Sequence, residues 1–93
     1  MKTPEEVASI ILSGQAPHMI DGADSVFAKK LARLLEAQGY TDAKSYSECS
    51  VASYEAHLEN RSEGNHHARV CITSAYLLGS FVQIDTYKHH SIF

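Results

Sequence analysis

The chain has 93 residues, a formal net charge of −3 and 44% hydrophobic residues. This length holds one hydrophobic core, so residues 1–93 are predicted to form a single compact domain. The small excess of acidic residues argues against a broad DNA-binding surface, which normally requires a basic stripe. The apolar runs are only a few residues long and too short to span a bilayer, so no membrane association is expected.

The first helix is predicted from its capping residues. Thr3 can cap the helix, Pro4 suits the first helical position, and Glu6 lies three residues after the cap, which together form a capping box. Gly14 supplies a left-handed residue at the other end. We therefore expect a helix over Pro4–Ser13.

A longer second helix follows a connector that runs from Gln15 to Asp21. Either Asp21 or Asp24 can cap it, and the predicted span is Gly22–Gln38. Gly39 ends this helix in the manner of a Schellman motif. Its apolar stripe is predicted to cover the sheet and consists of Ala23, Val26, Phe27, Leu31, Leu34 and Leu35.

After Gly39 the apolar residues alternate with a period of two, which predicts strands with one buried face. The alternating sets are Ala52, Tyr54, Ala56 and Leu58, then Ala68, Val70 and Ile72, then Val82 and Ile84. A competing interpretation makes Ser50–Asn60 a third helix, but the two-residue alternation is cleaner. The predicted turns are Arg61-Ser62-Glu63 and Leu77-Leu78-Gly79. The predicted fold class is α+β, with two N-terminal helices packed on one face of a three-stranded antiparallel β-meander.

The buried faces of neighbouring strands must coincide, which restricts the register. In the first hairpin we expect Leu58 opposite His66, Ala56 opposite Ala68, Tyr54 opposite Val70, Glu55 opposite Arg69 and His57 opposite His67. In the second we expect Ile72 opposite Ile84, Ser74 opposite Val82, Cys71 opposite Asp85, Arg69 opposite Tyr87 and His67 opposite His89. This register predicts a row of His57, His67 and His89 across the solvent-facing side.

The solvent-facing side of the sheet is the candidate contact surface. Aromatic residues and arginine are enriched in protein interfaces. Several glutamates, including Glu48 and Glu63, also make the first strand and its turn acidic. The predicted partner-binding residues are Glu55, His57, Glu59, Arg69, Phe81, Asp85 and Tyr87.

Other chemistry is less well supported by the sequence. Zinc accepts imidazole ligands, but no residue at a suitable spacing completes a tetrahedral site around the histidine row. In the predicted register Cys71 is four residues from the nearest solvent-side histidines, which is too far for a nucleophile and its base. Cys49 is also out of register for a disulfide with Cys71. We therefore expect no catalytic residue, no metal, no cofactor and a location in a reducing cytoplasm.

The second helix also carries basic residues that could contact phosphate, namely Lys29, Lys30 and Arg33. The negative net charge of the chain favours an ordinary solvated helix face instead.

In size, element order and mild acidity, the chain resembles the phage-encoded anti-CRISPR proteins. The resemblance implies a non-catalytic inhibitor that binds a protein or ribonucleoprotein complex in the host-cell cytoplasm, without direct nucleic-acid contact. Acidic residues such as Glu55, Glu59 and Glu63 would then mimic phosphates locally. One alternative is a structural subunit that forms a homodimer through its sheet. Another is a small metal- or redox-dependent enzyme.

Overall fold

A computed structural model of the chain describes residues 1–43, 52–61, 66–75 and 80–90. The first helix, α1, spans Pro4–Leu12. Its capping box is confirmed: the backbone N–H of Glu6 donates to Thr3 Oγ1, and the N–H of Thr3 donates to Glu6 Oε1, both at 3.2 Å. The helix ends one residue earlier than predicted, because Ser13 is the C-cap and Gly14 takes a positive φ of 87°.

The second helix, α2, spans Ser25–Ala37. Asp24 is its N-cap, and its carboxylate accepts a hydrogen bond from the N–H of Phe27 at 3.1 Å. The predicted start at Gly22 is therefore three residues too early. The Schellman motif is confirmed, because the N–H of Tyr40 donates to the carbonyl of Leu35 at 3.1 Å beside Gly39 at φ 97°.

The buried side of α2 differs at one position from the predicted stripe. Phe27, Leu31 and Leu35 are buried as expected, and Ala28 and Ala32 fill the space between them. Val26 is 71% exposed. It lies two residues before Ala28, so it points to nearly the opposite side of the helix.

The sheet has five antiparallel strands in the order β1-β5-β4-β3-β2. Their bounds are β1 His18–Asp21, β2 Thr41–Asp42, β3 Tyr54–Arg61, β4 His66–Ala75 and β5 Phe81–His90. The α+β class is confirmed, but the predicted count of three strands is wrong. Strands β1 and β2 fall in segments that were predicted to be connectors. Strand β1 has one buried residue and β2 has none, so neither strand shows an alternation with a period of two. Over residues 54–60 the chain is strand, so the alternative third helix is wrong there.

The register of the second hairpin is confirmed, with Ile72 opposite Ile84. That of the first hairpin is wrong by four residues: Leu58 lies opposite Val70 and Ala56 opposite Ile72. A shift of four residues leaves every side chain on its predicted face, so the alternation alone could not exclude it. Arg61 belongs to β3 rather than to a turn. The remaining residues predicted for the two turns lie outside the described part of the chain.

The hydrophobic core lies between the two helices and one face of the sheet. Helix α2 contacts β3, β4 and β5, and α1 packs mainly against α2. The largest fully buried apolar side chains are Val7, Leu31, Leu35, Val70, Ile72, Val82 and Ile84. Ser74 is a polar residue buried in this core, and it accepts a hydrogen bond from Ser53 Oγ at 3.2 Å. Among the described residues, no helix is both long and apolar enough to cross a membrane.

The buried contacts predict which truncations destabilise the fold. Leu31→Ala and Ile72→Ala should each lower the free energy of unfolding by about 2–5 kcal/mol, because each leaves a cavity in a fully buried site. Urea denaturation followed by circular dichroism measures this change. Val26→Ala is the matched control and should stay within about 0.5 kcal/mol of the parent. Equal stability of all three variants would show that the core has been assigned wrongly.

The Asp24 cap gives a second prediction. Asp24→Ala should destabilise the protein by about 1 kcal/mol, because the N–H of Phe27 loses its acceptor. Asp24→Asn retains a side-chain oxygen and should recover most of that loss. The same urea denaturation compares the two variants, and equal losses would rule out a capping contribution.

Candidate functional site on the open sheet face

The face of the sheet opposite the helices is the candidate site, and we call it the open sheet face. Among the described side chains of the three long strands, pairing and alternation place ten on it: Glu55, His57, Glu59, Arg69, Cys71, Thr73, Phe81, Gln83, Asp85 and Tyr87. The intervening residues, such as Leu58, Val70 and Ile84, are buried in the core. Among the helices and strands that the structure describes, none packs against this face.

All seven predicted partner-binding residues lie on the open sheet face, but they are not one cluster. Six of them occupy the part of the face near Cys71. Phe81 lies at the other end of β5, opposite Ala75 and Asp21. It is six residues from Tyr87, which corresponds to roughly 20 Å along an extended strand. A partner must therefore cover most of the length of β5 to contact both aromatic rings.

The first row across the sheet consists of Glu59, Arg69 and Tyr87. These residues are direct neighbours on β3, β4 and β5. Arg69 Nε lies 3.7 Å from Glu59 Oε2, and Tyr87 is 53% exposed. The predicted pairing of Glu55 with Arg69 is wrong, since the four-residue change in register brings Glu59 to that position. The row presents an exposed aromatic ring beside an ion pair that is itself largely shielded from solvent.

The second row consists of His57, Cys71 and Asp85. His57 Nδ1 lies 3.1 Å from Cys71 Sγ, and His57 Nε2 lies 2.7 Å from Glu55 Oε1. An ionised carboxylate only accepts hydrogen bonds, so a neutral His57 ring that donates Nε2–H to Glu55 leaves Nδ1 to accept from the Cys71 thiol. The expectation that Cys71 is too far from a histidine is therefore wrong. It failed because it depended on the register of the first hairpin.

The surroundings of Cys71 keep its thiol protonated. Burial raises the pKa of the Cys71 thiol above its ordinary value, and the negative charges of Asp85 and Glu55 raise that pKa further. The positive charge of Arg69 acts in the opposite direction. A thiol in this setting reacts as a nucleophile only when a neighbouring base accepts its proton.

The predicted histidine row is only partly formed. His67 is opposite His89, as predicted, but His57 is opposite Cys71 and not His67. The side chains of His67 and His89 lie outside the described part of the structure. Among the side chains that are described, no three of the types that bind metals are placed to hold an ion together.

The basic residues of α2 lie on the helical side of the protein and have contacts within the chain. Lys30 Nζ lies 3.0 Å from Glu5 Oε1, and this contact lowers the pKa of Glu5. Lys29 Nζ lies 5.8 Å from the centroid of the Tyr54 ring, within reach of a cation–π interaction. These contacts support the interpretation of Lys29 and Lys30 as part of an ordinary solvated helix face.

A cleft of about 250 Å³ lies where both helices end above the sheet, and the sequence did not indicate it. The lining includes Ile11, Gln15, Tyr40 and Val70 together with Arg69 and Tyr87 of the first row. Typical small-molecule pockets are larger, at about 300–1,000 Å³.

No protein-family model, curated protein or solved structure matches the chain.

The raised pKa of Cys71 predicts how stability depends on pH. A group whose pKa is higher in the folded state stabilises the fold below its unfolded pKa, which for a cysteine is near 9.0. That contribution is lost as the pH rises through the higher folded value. The free energy of unfolding should therefore fall less in Cys71→Ser than in the parent as the pH rises from neutral to above the pKa of the folded thiol. Urea unfolding at each pH measures this difference.

Other groups titrate in the same alkaline range and need a control. Burial also raises the pKa of Tyr40 and Tyr54, but both tyrosines are present in the parent and in Cys71→Ser. The difference between the two proteins therefore isolates Cys71. An identical alkaline loss in both would contradict a linked thiol.

Proposed function

We propose that this protein is a non-catalytic binding module that attaches to a basic protein or ribonucleoprotein surface through its open sheet face. The observation that carries this proposal is the row of Glu59, Arg69 and Tyr87, where a half-exposed tyrosine lies beside an arginine on a face that no described helix covers. Tyrosine and arginine are among the residues that most often dominate binding energy in protein interfaces.

The charge of this face supports a basic partner. Glu55, Glu59 and Asp85 lie on the three long strands, and Asp21 lies on the exposed side of β1. Arg69 is the only guanidinium among these described side chains. A surface with an excess of carboxylates attracts a positively charged partner over a distance set by the salt concentration.

The shape of the site supports binding over catalysis. Small-molecule active sites are usually concave pockets, whereas the open sheet face extends over three paired long strands. The cleft described above is smaller than a typical small-molecule pocket, and Arg69 and Tyr87 of the first row form one part of its lining. An extended face with two separated aromatic rings suits a macromolecular contact, which needs a broad area.

The resemblance to the anti-CRISPR proteins suggests a specific target. In this proposal the protein blocks a CRISPR–Cas complex by occupying a basic surface that otherwise holds nucleic acid. Glu55 and Glu59 take the place of phosphate groups there. The phage origin and the intracellular location that such a role requires belong to the same proposal.

The first test uses a panel of purified CRISPR–Cas ribonucleoprotein complexes immobilised for biolayer interferometry. The protein should bind at least one complex and reduce its binding of target DNA. Tyr87→Ala and Arg69→Ala should each weaken that binding by about tenfold or more while leaving the circular dichroism spectrum unchanged. Val26→Ala, which removes an exposed apolar side chain on the helical side, is the control.

The second test uses charge. Glu55→Gln and Glu59→Gln should slow association, and the effect should be larger at low salt, because the carboxylates steer a basic partner. Glu36→Gln is the matched control, since it removes the same charge from the exposed side of α2.

Two outcomes contradict the proposal. One is loss of binding on changing Lys29, Lys30 or Arg33 together with unchanged binding by the open-face variants. The other is failure to bind any complex together with a dimer that persists at low concentration in size-exclusion chromatography. That result would favour a self-assembling subunit.

A further inference from the structure

We propose that Cys71 is a covalent modification site that forms a mixed disulfide with a small, positively charged disulfide, with His57 accepting the thiol proton and Glu55 holding His57 in place. This inference rests on the geometry of three side chains. It does not depend on the identity of any binding partner.

The three groups lie in the order that activates a nucleophile. The thiol of Cys71 is 3.1 Å from His57 Nδ1, and the opposite ring nitrogen is 2.7 Å from Glu55 Oε1. A nucleophile within hydrogen-bond reach of a base, with that base oriented by a third group, is the general signature of an activated side chain. Cys71 is partly exposed, as a thiol that reacts with a small reagent must be.

The sheet holds this arrangement rigidly. Strand β4 pairs with β3 on one side and with β5 on the other, and His57 is the direct cross-strand neighbour of Cys71. Glu55 and His57 are two residues apart on β3, so their side chains emerge on the same face. The neighbouring core residues Val70 and Ile72 are fully buried and fix the strand beneath the thiol.

The reaction balances without any further reagent. The Cys71 S–H proton moves to His57 Nδ1, and the Glu55 carboxylate stabilises the imidazolium that forms. The thiolate attacks one sulfur of the reagent, so a new sulfur–sulfur bond forms to Cys71 as the reagent's own disulfide breaks. The released thiolate takes the proton from His57 and leaves as a thiol. Cys71 is oxidised to a mixed disulfide, and half of the reagent is reduced.

The charges around the thiol favour a cationic reagent. Among the described side chains, the titratable groups around Cys71 are His57 and Glu55 on β3, Arg69 on β4 and Asp85 on β5. The helices pack on the other face of the sheet and contribute no charge to this side. Two carboxylates against one guanidinium attract an ammonium-bearing disulfide and repel a carboxylate-bearing one.

The experiment measures reaction of the full-length chain with Cys49→Ser, which leaves Cys71 as its only thiol. The probes are cystamine, which is cationic, and 3,3′-dithiodipropionate, which is anionic. Intact-protein mass spectrometry follows the rate of mixed-disulfide formation. Each rate is divided by the rate of the same probe with N-acetylcysteinamide, which removes the difference between the two leaving groups.

Three variants in this background separate an activating role from a structural one. His57→Gln should reduce the rate at neutral pH by about tenfold or more and move the pH–rate profile to higher pH, because the base is lost. Glu55→Gln should give a smaller loss. Glu36→Gln is the matched control, because it removes the same charge from the exposed side of α2, away from the open sheet face, and it should react like the parent. The normalised rate should be higher for cystamine than for dithiodipropionate, and this preference should shrink at high salt.

Several results would overturn the inference. One is a His57→Gln variant that reacts at the parent's rate with an unchanged pH profile. Another is a parent protein that reacts with neither probe when folded but reacts in urea, which would show that the thiol is inaccessible. If His57→Gln fails to fold, the parent's own profile decides. A rate that rises only with alkaline thiol ionisation, with no plateau nearer neutral pH, excludes base assistance by His57.

Discussion

The structure depends most on strand β4, which pairs with β3 and β5 along nearly its whole length. Its even-numbered residues Val70 and Ile72 are buried beneath the helices, and its odd-numbered residues Arg69 and Cys71 lie on the open face. Burial of a large aliphatic side chain is worth about 1.5–3 kcal/mol, so a one-residue slip that exposed both would be costly. The same backbone therefore fixes the core and the chemistry of the open face together.

Local capping chemistry explains why the helices could be predicted closely. The capping hydrogen bonds join residues that are three positions apart, Thr3 with Glu6 and Asp24 with Phe27, so a short stretch of sequence is enough to predict them. Strands β1 and β2 carry no comparable signal. They form because the edges of β5 and β3 carry backbone N–H and C=O groups that need hydrogen-bond partners. This need arises only in the folded sheet, so it leaves no pattern in the four residues of β1 or the two residues of β2.

The register shows the same limit at longer range. Ile72 opposite Ile84 joins two buried residues of equal size, and the sequence indicated that pair correctly. For the first hairpin, Ala56 could meet either Ala68 or Ile72 without changing its face, and the polar residues beyond Leu58 suit a strand as well as a turn. The two-residue alternation placed all seven predicted residues on the open face. It does not determine which residues face each other across neighbouring strands. The sequence analysis therefore missed the contact between His57 and Cys71 and paired Arg69 with the wrong glutamate.

The two rows of the open face are close enough to affect one another. On β4, Arg69 and Cys71 are two residues apart, which is roughly 7 Å along the strand. A group attached to Cys71 would therefore occupy space that a partner needs in order to contact Arg69 and Tyr87. A cationic group would also offset the carboxylates of Glu55 and Asp85 that attract a basic partner. Because coupling between two equilibria is reciprocal, a partner bound to Tyr87 and Arg69 would disfavour the mixed disulfide by the same free energy by which modification weakens binding. The register of β3 on β4 thus places the proposed modification site inside the surface proposed for binding, and the chemistry of one site would regulate the other.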